Sequence, residues 1–199
     1  DLFAESCVDR GLVKNSVVLD MGCGNGRDSF YFVENYASHV IGVDQSNVRI
    51  QVVISDNTNN IDNLEDVHRN NIEFDVLDFV DLNSCVNKDI DLYYSRFTFH
   101  AITHQEQLKF ISMLNSCMKL GSICAIEART VSDKIYQDGV RIGDNTNFID
   151  HHRCFSVPND VIKSVIKHDF EIIYFEESTN FAKFNDEEPA VMRLIFRKK

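Results

Sequence analysis

Three closely spaced glycines near the start of the chain form the motif with the clearest chemical meaning. The segment from Val17 to Asp20 reads VVLD, and the following residues, Met-Gly-Cys-Gly-Asn-Gly, end at Gly26. Glycines at this spacing between a strand and a helix let backbone amides approach a ligand closely. A dinucleotide fingerprint would require glycine where Arg27 stands, and the Gly-Lys-Ser/Thr of a P-loop is absent. The turn therefore disfavours NAD and ATP as ligands.

The next strand-like run, from His39 to Asp44, ends in an acid. In an open α/β sheet, an acid at the end of the second strand suits paired hydrogen bonds to the two hydroxyls of a ribose. Together, the glycine turn and Asp44 predict a ligand that contains a nucleoside without a pyrophosphate.

Basic side chains follow two further strand-like runs, residues 91–95 and 121–127. In an acidic protein, such a group indicates recognition of a carboxylate or phosphate, because the guanidinium fork matches both anions. We therefore expect a small anionic substrate, with His100 or His151 as the base if one is needed. Three alternatives stay open: Arg96 and Arg129 could pair with Glu127, His100 could be a buried structural residue, and the histidine pair could be plain surface. The expected substrate-binding residues are Arg96, Glu127, Arg129, His152 and Arg153, and Arg141 is a further basic residue of the same region.

Alternating strands and helices must position these residues. Thr103 and Glu106 form a capping box that starts a helix toward Lys119, and Pro158 suits the first turn of another helix that ends near His168. The alternation predicts one α/β domain over residues 1–199, with an open, mostly parallel sheet, helices on both faces and a terminal antiparallel hairpin. Residues 130–156 are long and weakly periodic, which indicates a lid or an insertion. The predicted strands are 17–20, 39–44, 72–76, 91–95, 121–127, 171–176 and 191–196, and two further helices follow the glycine turn and Ser46.

Composition limits the partners. The chain has 199 residues, with 20 basic and 31 acidic side chains and a net charge of −11, which opposes nucleic-acid binding. It contains no apolar run near the roughly 20 residues that span a bilayer, so we expect no membrane partner and a cytoplasmic location. Its six cysteines show no metal-site spacing, so we expect reduced thiols and no metal. The oligomeric state is left open, and a first residue other than Met leaves room for a segment upstream of Asp1.

With these motifs in place, the chain resembles the class I S-adenosylmethionine-dependent methyltransferases. Their first motif is similar to Val-Leu-Asp-Met-Gly-Cys-Gly-Asn-Gly, and Asp78-Phe79 is similar to their adenine position. The resemblance implies a Rossmann-like, seven-stranded sheet and S-adenosylmethionine as cofactor. The cofactor-binding residues that it implies are Asp20, Gly22, Cys23, Gly24, Asn25, Gly26, Asp44, Gln45, Asp78, Phe79, Ser95 and Arg96.

The same resemblance narrows the methyl acceptor. Ser95-Arg96-Phe97 stands where DNA amino-methyltransferases carry Asn or Asp followed by two prolines, and no proline precedes a cysteine as cytosine C5 chemistry requires. More loosely, the chain resembles small bacterial methyltransferases of capsular polysaccharide (phosphoramidate) modification and of the tellurite-resistance type. The leading hypothesis is O-methylation of a small anionic metabolite or polysaccharide precursor. The alternatives are a detoxifying tellurite or thiol methyltransferase and a non-catalytic cofactor-binding module of a larger capsule-synthesis protein.

Overall fold

The computed structural model describes residues 2–56, 68, 70–80, 89–149, 151–183 and 187–199. The strands are β1 (Val17–Met21), β2 (His39–Asp44), β3 (Ile72–Val76), β4 (Leu92–Arg96), β5 (Ile123–Arg129), β6 (Val140–Gly143), β7 (Thr146–Phe148), β8 (His152–Cys154), β9 (Phe170–Ser178) and β10 (Val191–Lys198). The helices are α1 (Phe3–Asp9), α2 (Arg27–Glu34), α3 (Asn47–Asp56), α4 (His104–Cys117) and α5 (Pro158–Lys167), with short 3₁₀ turns at Phe99–Ala101 and Lys134–Gln137.

Seven strands form one sheet in the order β3-β2-β1-β4-β5-β10-β9. The first five pair in parallel, whereas β10 runs antiparallel to both β5 and β9. This arrangement confirms the predicted open, mostly parallel sheet with a terminal antiparallel hairpin. The strand order reverses between β1 and β4, and in open α/β sheets ligands bind at the carboxyl ends of the strands at such a point.

Alternate residues of the central strands face two separate apolar cores, because successive side chains in a strand point to opposite faces. Helices α4 and α5 cover one face, and α1 and α2 cover the other. The predicted placement of helices on both faces is therefore confirmed. On the first face the strands contribute Leu19, Ile41, Tyr93, Ile126 and Leu194, and on the second face Val18, Val40, Leu92, Ala125 and Ile195.

Helix α4 begins at the predicted capping box. Thr103 Oγ1 accepts a hydrogen bond from the Glu106 backbone N–H, and Glu106 Oε2 accepts one from the Thr103 N–H at 2.8 Å. On the core face of α4, Gln107 is fully buried together with Phe110, Ile111 and Leu114, whereas the neighbouring Leu108 is only partly buried.

Two features were not expected from the sequence. The first is the short helix α1, whose Phe3 ring stacks on Tyr94 with centroids 5.4 Å apart. The second is a separate antiparallel sheet, β6-β7-β8, inside residues 130–156. This segment leaves the main sheet and rejoins it at one point, since Thr130 and Ser156 form a parallel bridge and the Ser156 N–H donates to the Arg129 carbonyl at 3.0 Å.

None of the helices in the described part of the chain is long and apolar enough to cross a membrane. Cys7, Cys23, Cys124 and Cys154 are free thiols. Cys85 lies outside the described residues.

Candidate active site

The glycine turn between β1 and α2 is locked onto its neighbours by backbone contacts. The N–H groups of Gly22 and Cys23 both donate to the carbonyl of Val43 in β2, at 2.7 and 2.9 Å. Gly22 has a φ of +76°, and a Cβ at this position would lie 2.1 Å from Thr98 Cγ2. Thr98 Oγ1 in turn donates to the Met21 carbonyl at 3.0 Å. The first glycine is therefore required by the close approach of the segment that follows β4.

Asp44 closes the opposite side of this turn. Its carboxylate accepts hydrogen bonds from the Gly24 N–H at 3.2 Å and from the Ser46 N–H at 2.9 Å. The side chain is buried except for the part that lines the cleft. Each carboxylate oxygen can accept more than one hydrogen bond, so Asp44 keeps the capacity to accept from two ribose hydroxyls.

Asp20, at the end of β1, is the most perturbed carboxyl group of the turn. It is buried and accepts a 2.6 Å hydrogen bond from the Ser29 hydroxyl. Burial raises its pKa from 3.8 to about 7, and Asp28 and Asp44 add to the increase. Because burial also raises the pKa of the Cys23 thiol, this thiol stays protonated at neutral pH.

Asp28 lies in the first turn of α2. The N–H of Arg27, which begins this helix, donates to the Asn25 side chain at 3.3 Å. Asp28 instead accepts hydrogen bonds at 2.8 Å from both Arg27 Nε and the Tyr94 hydroxyl, and it lines the cleft. Its carboxylate therefore links α2 to β4 across the floor of the site.

The turn borders a cleft of about 820 Å³ at the carboxyl ends of β1, β2 and β4. Of the residues expected in the site, twelve line this cleft: Asp20, Gly22, Cys23, Gly24, Asn25, Asp44, Gln45, Phe79, Arg96, His100, His151 and His152. Eight residues that were not expected there also line it: Arg27, Asp28, Ser46, Arg49, Phe97, Thr98, Ala101 and Ile102. Half of the second set directly follow expected positions, so a prediction that extended each expected segment by one residue would have included them.

Three residues expected to bind cofactor do not line the cleft. Gly26 is the left-handed residue that precedes α2, and a Cβ there would lie 3.0 to 3.2 Å from the rings of Phe30 and Phe74. Asp78 is exposed and accepts from the Val80 N–H at 3.0 Å. Ser95 is fully buried in β4. None of the three lines the cleft, and their assignment to the cofactor stays a prediction.

His100 lies in the 3₁₀ turn Phe99–Ala101 that follows β4, and it lines the cleft. Its Nδ1 is buried and has no hydrogen-bond partner among the described residues. Burial lowers its pKa from 6.5 to about 3, and the positive field of Arg129 and Arg153 and the rings of His151 and His152 lower it further. The imidazole is therefore neutral at physiological pH, and it is a weak base.

The two neighbouring histidines are already engaged. His151 Nε2 accepts a hydrogen bond from Arg153 Nε at 3.1 Å. His152 Nε2 lies 2.7 Å from the carbonyl of Ala101, and because a carbonyl only accepts, this nitrogen carries a proton. Arg153 reaches the site through His151 and does not itself line the cleft.

Glu127, which the sequence predicts to bind substrate, does not line the cleft. It lies fully buried in a row of three charged residues that cross β4, β5 and β10, opposite Arg96 on one side and Arg193 on the other. Its two oxygens accept from Arg96 Nε at 2.9 Å and from Arg193 Nε at 2.7 Å. The alternative of an Arg96–Glu127 pair is thus the observed one, although Arg96 also faces the cleft.

Arg129 is likewise bound to the protein. Its two terminal nitrogens lie 2.9 Å from Asp133 and 2.8 Å from Glu187, and it does not line the cleft. It acts on the site through its electric field and by packing near the Phe97 ring, 6.0 Å from the ring centroid. Arg141 lies on β6 of the three-stranded sheet, outside the cleft. Its guanidinium packs over the Tyr136 ring, 4.7 Å from the ring centroid.

The comparisons with known proteins agree with this geometry. Residues 12–186 match a family of proteins described as a methyltransferase domain. The chain belongs to this methyltransferase family. It is an S-adenosylmethionine-dependent methyltransferase with S-adenosylmethionine as its cofactor. No curated protein matches the sequence of this methyltransferase.

Solved structures share the fold of the methyltransferase at low sequence identity. An S-adenosylmethionine-dependent methyltransferase from Mesorhizobium loti is 17% identical with a TM-score of 0.69, and 98% of each chain is covered. One from Clostridium acetobutylicum is 14% identical with a TM-score of 0.71, covering 98% of this chain and 89% of the other. A TehB-like methyltransferase from Corynebacterium glutamicum is 16% identical with a TM-score of 0.66, covering 100% and 88%.

The residues of the cleft fit the cofactor. Its volume of about 820 Å³ lies within the range of small-molecule sites. Gly24 has a φ of +59°, and a Cβ there would meet only the tip of Arg49, at 3.7 Å, so the turn leaves open space beside Asp44. Asp44 would hold the ribose hydroxyls, and Phe79, which is buried against Phe110 at 5.7 Å between ring centroids, would pack on the adenine.

Proposed function

We propose that this methyltransferase transfers a methyl group to an oxygen of a small anionic acceptor, a metabolite or polysaccharide precursor that carries a phosphate or carboxylate. The observation that carries the proposal is the state of the two histidines expected to act as bases. His100 has a pKa near 3, and the Nε2 lone pair of His151 is occupied by Arg153. An oxygen that is already anionic needs neither of them to remove a proton.

The charge around His100 supports the same class of acceptor. The charged and titratable groups that act most strongly on its ring are Arg129, Arg153, His151 and His152, all of them basic. At the glycine turn, Asp44 instead presents a carboxylate, which accepts from the Gly24 N–H at 3.2 Å. A cationic cofactor would be attracted to this acid, and an anionic acceptor to the basic groups around His100.

When bound, S-adenosylmethionine supplies an electrophilic methyl group on a sulfonium sulfur. Transfer of this methyl group requires the acceptor oxygen to lie in line with the carbon–sulfur bond that breaks. The protein's contribution is alignment. The glycine turn and Asp44 would fix the nucleoside, while Arg96 and the turn that carries His100 would orient the acceptor. Hydrogen bonds from guanidinium groups to an anion are among the stronger ones in proteins.

Transfer of a labelled methyl group from S-adenosylmethionine tests the proposal. Phosphate- and carboxylate-bearing sugars and small metabolites are compared with neutral counterparts of the same skeleton. We expect methylation of charged acceptors only. A preference for tellurite, selenite or thiols would instead favour the detoxifying alternative, and methylation of the neutral counterparts alone would contradict the proposal.

A pair of arginine variants separates the basic end of the cleft from general surface charge. Arg153→Gln removes the cation that contacts His151, whereas Arg141→Gln removes an equal charge outside the cleft. Because Arg153 does not line the cleft, it acts on the acceptor through its charge and through His151, and we expect Arg153→Gln to raise the acceptor KM by about threefold to tenfold. Arg141→Gln is expected to leave the KM within twofold, and equal effects of the two variants would argue against anion recognition here.

We also propose a cytoplasmic location and, for the acceptor, a precursor of a capsule-like polysaccharide. The free thiols Cys7, Cys23, Cys124 and Cys154 suit a reducing compartment. Labelled extract of a producing cell tests the second point: methyl incorporation into an anionic sugar precursor supports it, and incorporation into other material only would contradict it.

A further inference from the structure

Gln107 is a fully buried amide on the core face of α4. Its Nε2 donates to the carbonyl of Phe99 at 2.8 Å, and its Oε1 accepts from the Ser156 hydroxyl at 3.3 Å. Phe110 and Ile111 are fully buried on the same helix. A polar group in such surroundings is costly unless it is hydrogen-bonded, so these two bonds account for its presence there.

The two bonds join the chain segments that carry the histidines of the cleft. Phe99 begins the short turn that contains His100, and Ser156 follows β8, whose first residue is His152. Ser156 is also tied to the exit of β5, because its N–H donates to the Arg129 carbonyl at 3.0 Å and its carbonyl accepts from the Val131 N–H at 3.1 Å. One side chain therefore connects the segments that follow β4, β5 and β8.

A second contact holds the same turn from its other end. His152 Nε2 donates to the carbonyl of Ala101 at 2.7 Å. His100 thus stands between two carbonyls that are each held by a side chain. Because no described residue hydrogen-bonds its Nδ1, the position of the His100 ring depends on the backbone of this turn.

We propose that Gln107 is a positioning residue for the methyl acceptor. Its amide holds the turn that carries His100 at a fixed distance from the segment that follows β8. The inference rests on the proposed function only in taking this end of the cleft as the acceptor end. Gln107 acts through His100 and His152 and touches neither the acceptor nor the cofactor.

Gln107→Met tests the proposal, because methionine has a similar volume and packs well in an apolar core. It removes both hydrogen bonds of the Gln107 amide. We expect the imidazole ¹⁵N resonances of His100 and His152 to shift and the acceptor KM to rise at least tenfold. The Kd of S-adenosylhomocysteine is expected to stay within twofold of the original value. The matched control is Ser122→Ala. It removes another buried hydrogen bond to a carbonyl, that of Ile90 at 2.8 Å, at the amino ends of β4 and β5 and so at the opposite end of the strands from the cleft.

Gln107→Glu adds a readout that packing alone would not produce. A protonated glutamic acid can donate to the Phe99 carbonyl and accept from Ser156, whereas the ionised form has no proton to donate. Burial raises the pKa of such a carboxyl group. We expect native positions of the His100 and His152 resonances below the pKa of the new group, displaced positions above it, and acceptor turnover that follows them.

The outcomes separate this inference from the proposed function. Resonances and acceptor KM that stay within the range of Ser122→Ala in Gln107→Met, or a pH profile of Gln107→Glu equal to that of the original protein, would overturn the role of Gln107. If the resonances shift as expected while no phosphate- or carboxylate-bearing compound is methylated, the proposed function fails and the positioning role stands. If Gln107→Met does not fold, the pH profile of Gln107→Glu decides.

Discussion

Asp44 is the residue on which cofactor affinity depends most directly. Its carboxylate is held by the Gly24 and Ser46 backbone amides, so it is oriented in advance and no ordering cost falls on the ligand. Asp44→Ala removes two charged acceptors, each worth about 1.5–3 kcal/mol, and we expect at least a tenfold loss of S-adenosylhomocysteine affinity by isothermal titration calorimetry. Asp44→Asn keeps one oxygen and should lose less. Unchanged affinity in the alanine variant would show that the nucleoside binds elsewhere.

Asp20 makes stability depend on pH near neutrality. Its pKa is about 7 in the folded protein and has the ordinary value of 3.8 in the unfolded chain. Between these values the unfolded chain has lost the proton and the folded protein has kept it. The free energy of unfolding therefore falls as the pH rises from about 4 to about 7, and the effect is constant above that.

Asp20→Asn removes this dependence while retaining an oxygen that can accept from Ser29. Relative to the original protein, we expect the variant to gain about 2–3 kcal/mol in the free energy of unfolding between pH 5 and pH 8. Urea unfolding at several pH values measures the difference. Parallel curves for the two proteins would show that Asp20 is already ionised at pH 5.

His100 is expected to contribute a hydrogen bond and no proton transfer. Loss of a general base costs about 10² to 10⁴ in rate, whereas His100→Gln keeps the capacity to hydrogen-bond. We therefore expect His100→Gln to retain kcat within about tenfold and His100→Phe to lose more. A hundredfold loss in His100→Gln, with the ring titrating near pH 6 in the NMR spectrum, would restore the role of base.

At the scale of single elements, the capping box sets the start of α4 and hence the position of Gln107. Replacing an N-cap threonine costs about 1 kcal/mol, and we expect Thr103→Ala to lower the free energy of unfolding by this amount in urea. Hydrogen bonds from the Thr103 N–H and hydroxyl lower the pKa of Glu106. The stabilisation is therefore present at neutral pH and is lost as the pH falls through this pKa, so the cost of Thr103→Ala should shrink in acid. A cost that is equal at all pH values would exclude a role for ionised Glu106.

Elements with a clear period or cap could be predicted, and short ones could not. Strand β3 has the bounds expected from its sequence, and α4 begins where Thr103 and Glu106 indicated. Helix α1 has only seven residues, and its N-cap is Leu2, which gives no recognisable start signal. Its Glu5 side chain accepts from the Leu2 N–H at 3.0 Å, and its Phe3 ring packs on Tyr94. Strands β7 and β8 have three residues each, too few for an alternating pattern to stand out.

At the scale of the whole molecule, a row of buried charges ties the cleft to the far strands of the sheet. Arg193 is 1% exposed and lies directly opposite Glu127, which also binds Arg96. Breaking a buried pair costs about 3–5 kcal/mol because one charge is left without its partner. We expect Arg193→Met and Glu127→Met each to lose about this much in urea unfolding.

The double variant Glu127→Met and Arg193→Met, with the two single variants, forms a double-mutant cycle. Because it removes both members of the pair, we expect its cost to be smaller than the sum of the single costs by at least about 1 kcal/mol. An additive result would mean that the two side chains do not stabilise each other.

This row also shows where prediction of the site from sequence ends. The cofactor side of the site could be predicted because the glycines and Asp44 follow predicted strands. A residue that follows a parallel strand lies at the carboxyl ends of the strands, where the cleft is. The acceptor side depends on pairings between residues far apart in the chain, such as Glu127 with Arg193 and Gln107 with Ser156. No local pattern indicates that Arg193, inside an apolar run, neutralises an acid that had been assigned to the substrate.

The segment 130–156 begins and ends at adjacent points, where Thr130 bridges Ser156. Because its ends meet, its length and content can vary with little effect on the strand pairing of the main sheet. The cofactor site lies on other strands. Exchange of this segment between related chains is thus a practical route to hybrid enzymes that accept new molecules while drawing on the same methyl donor.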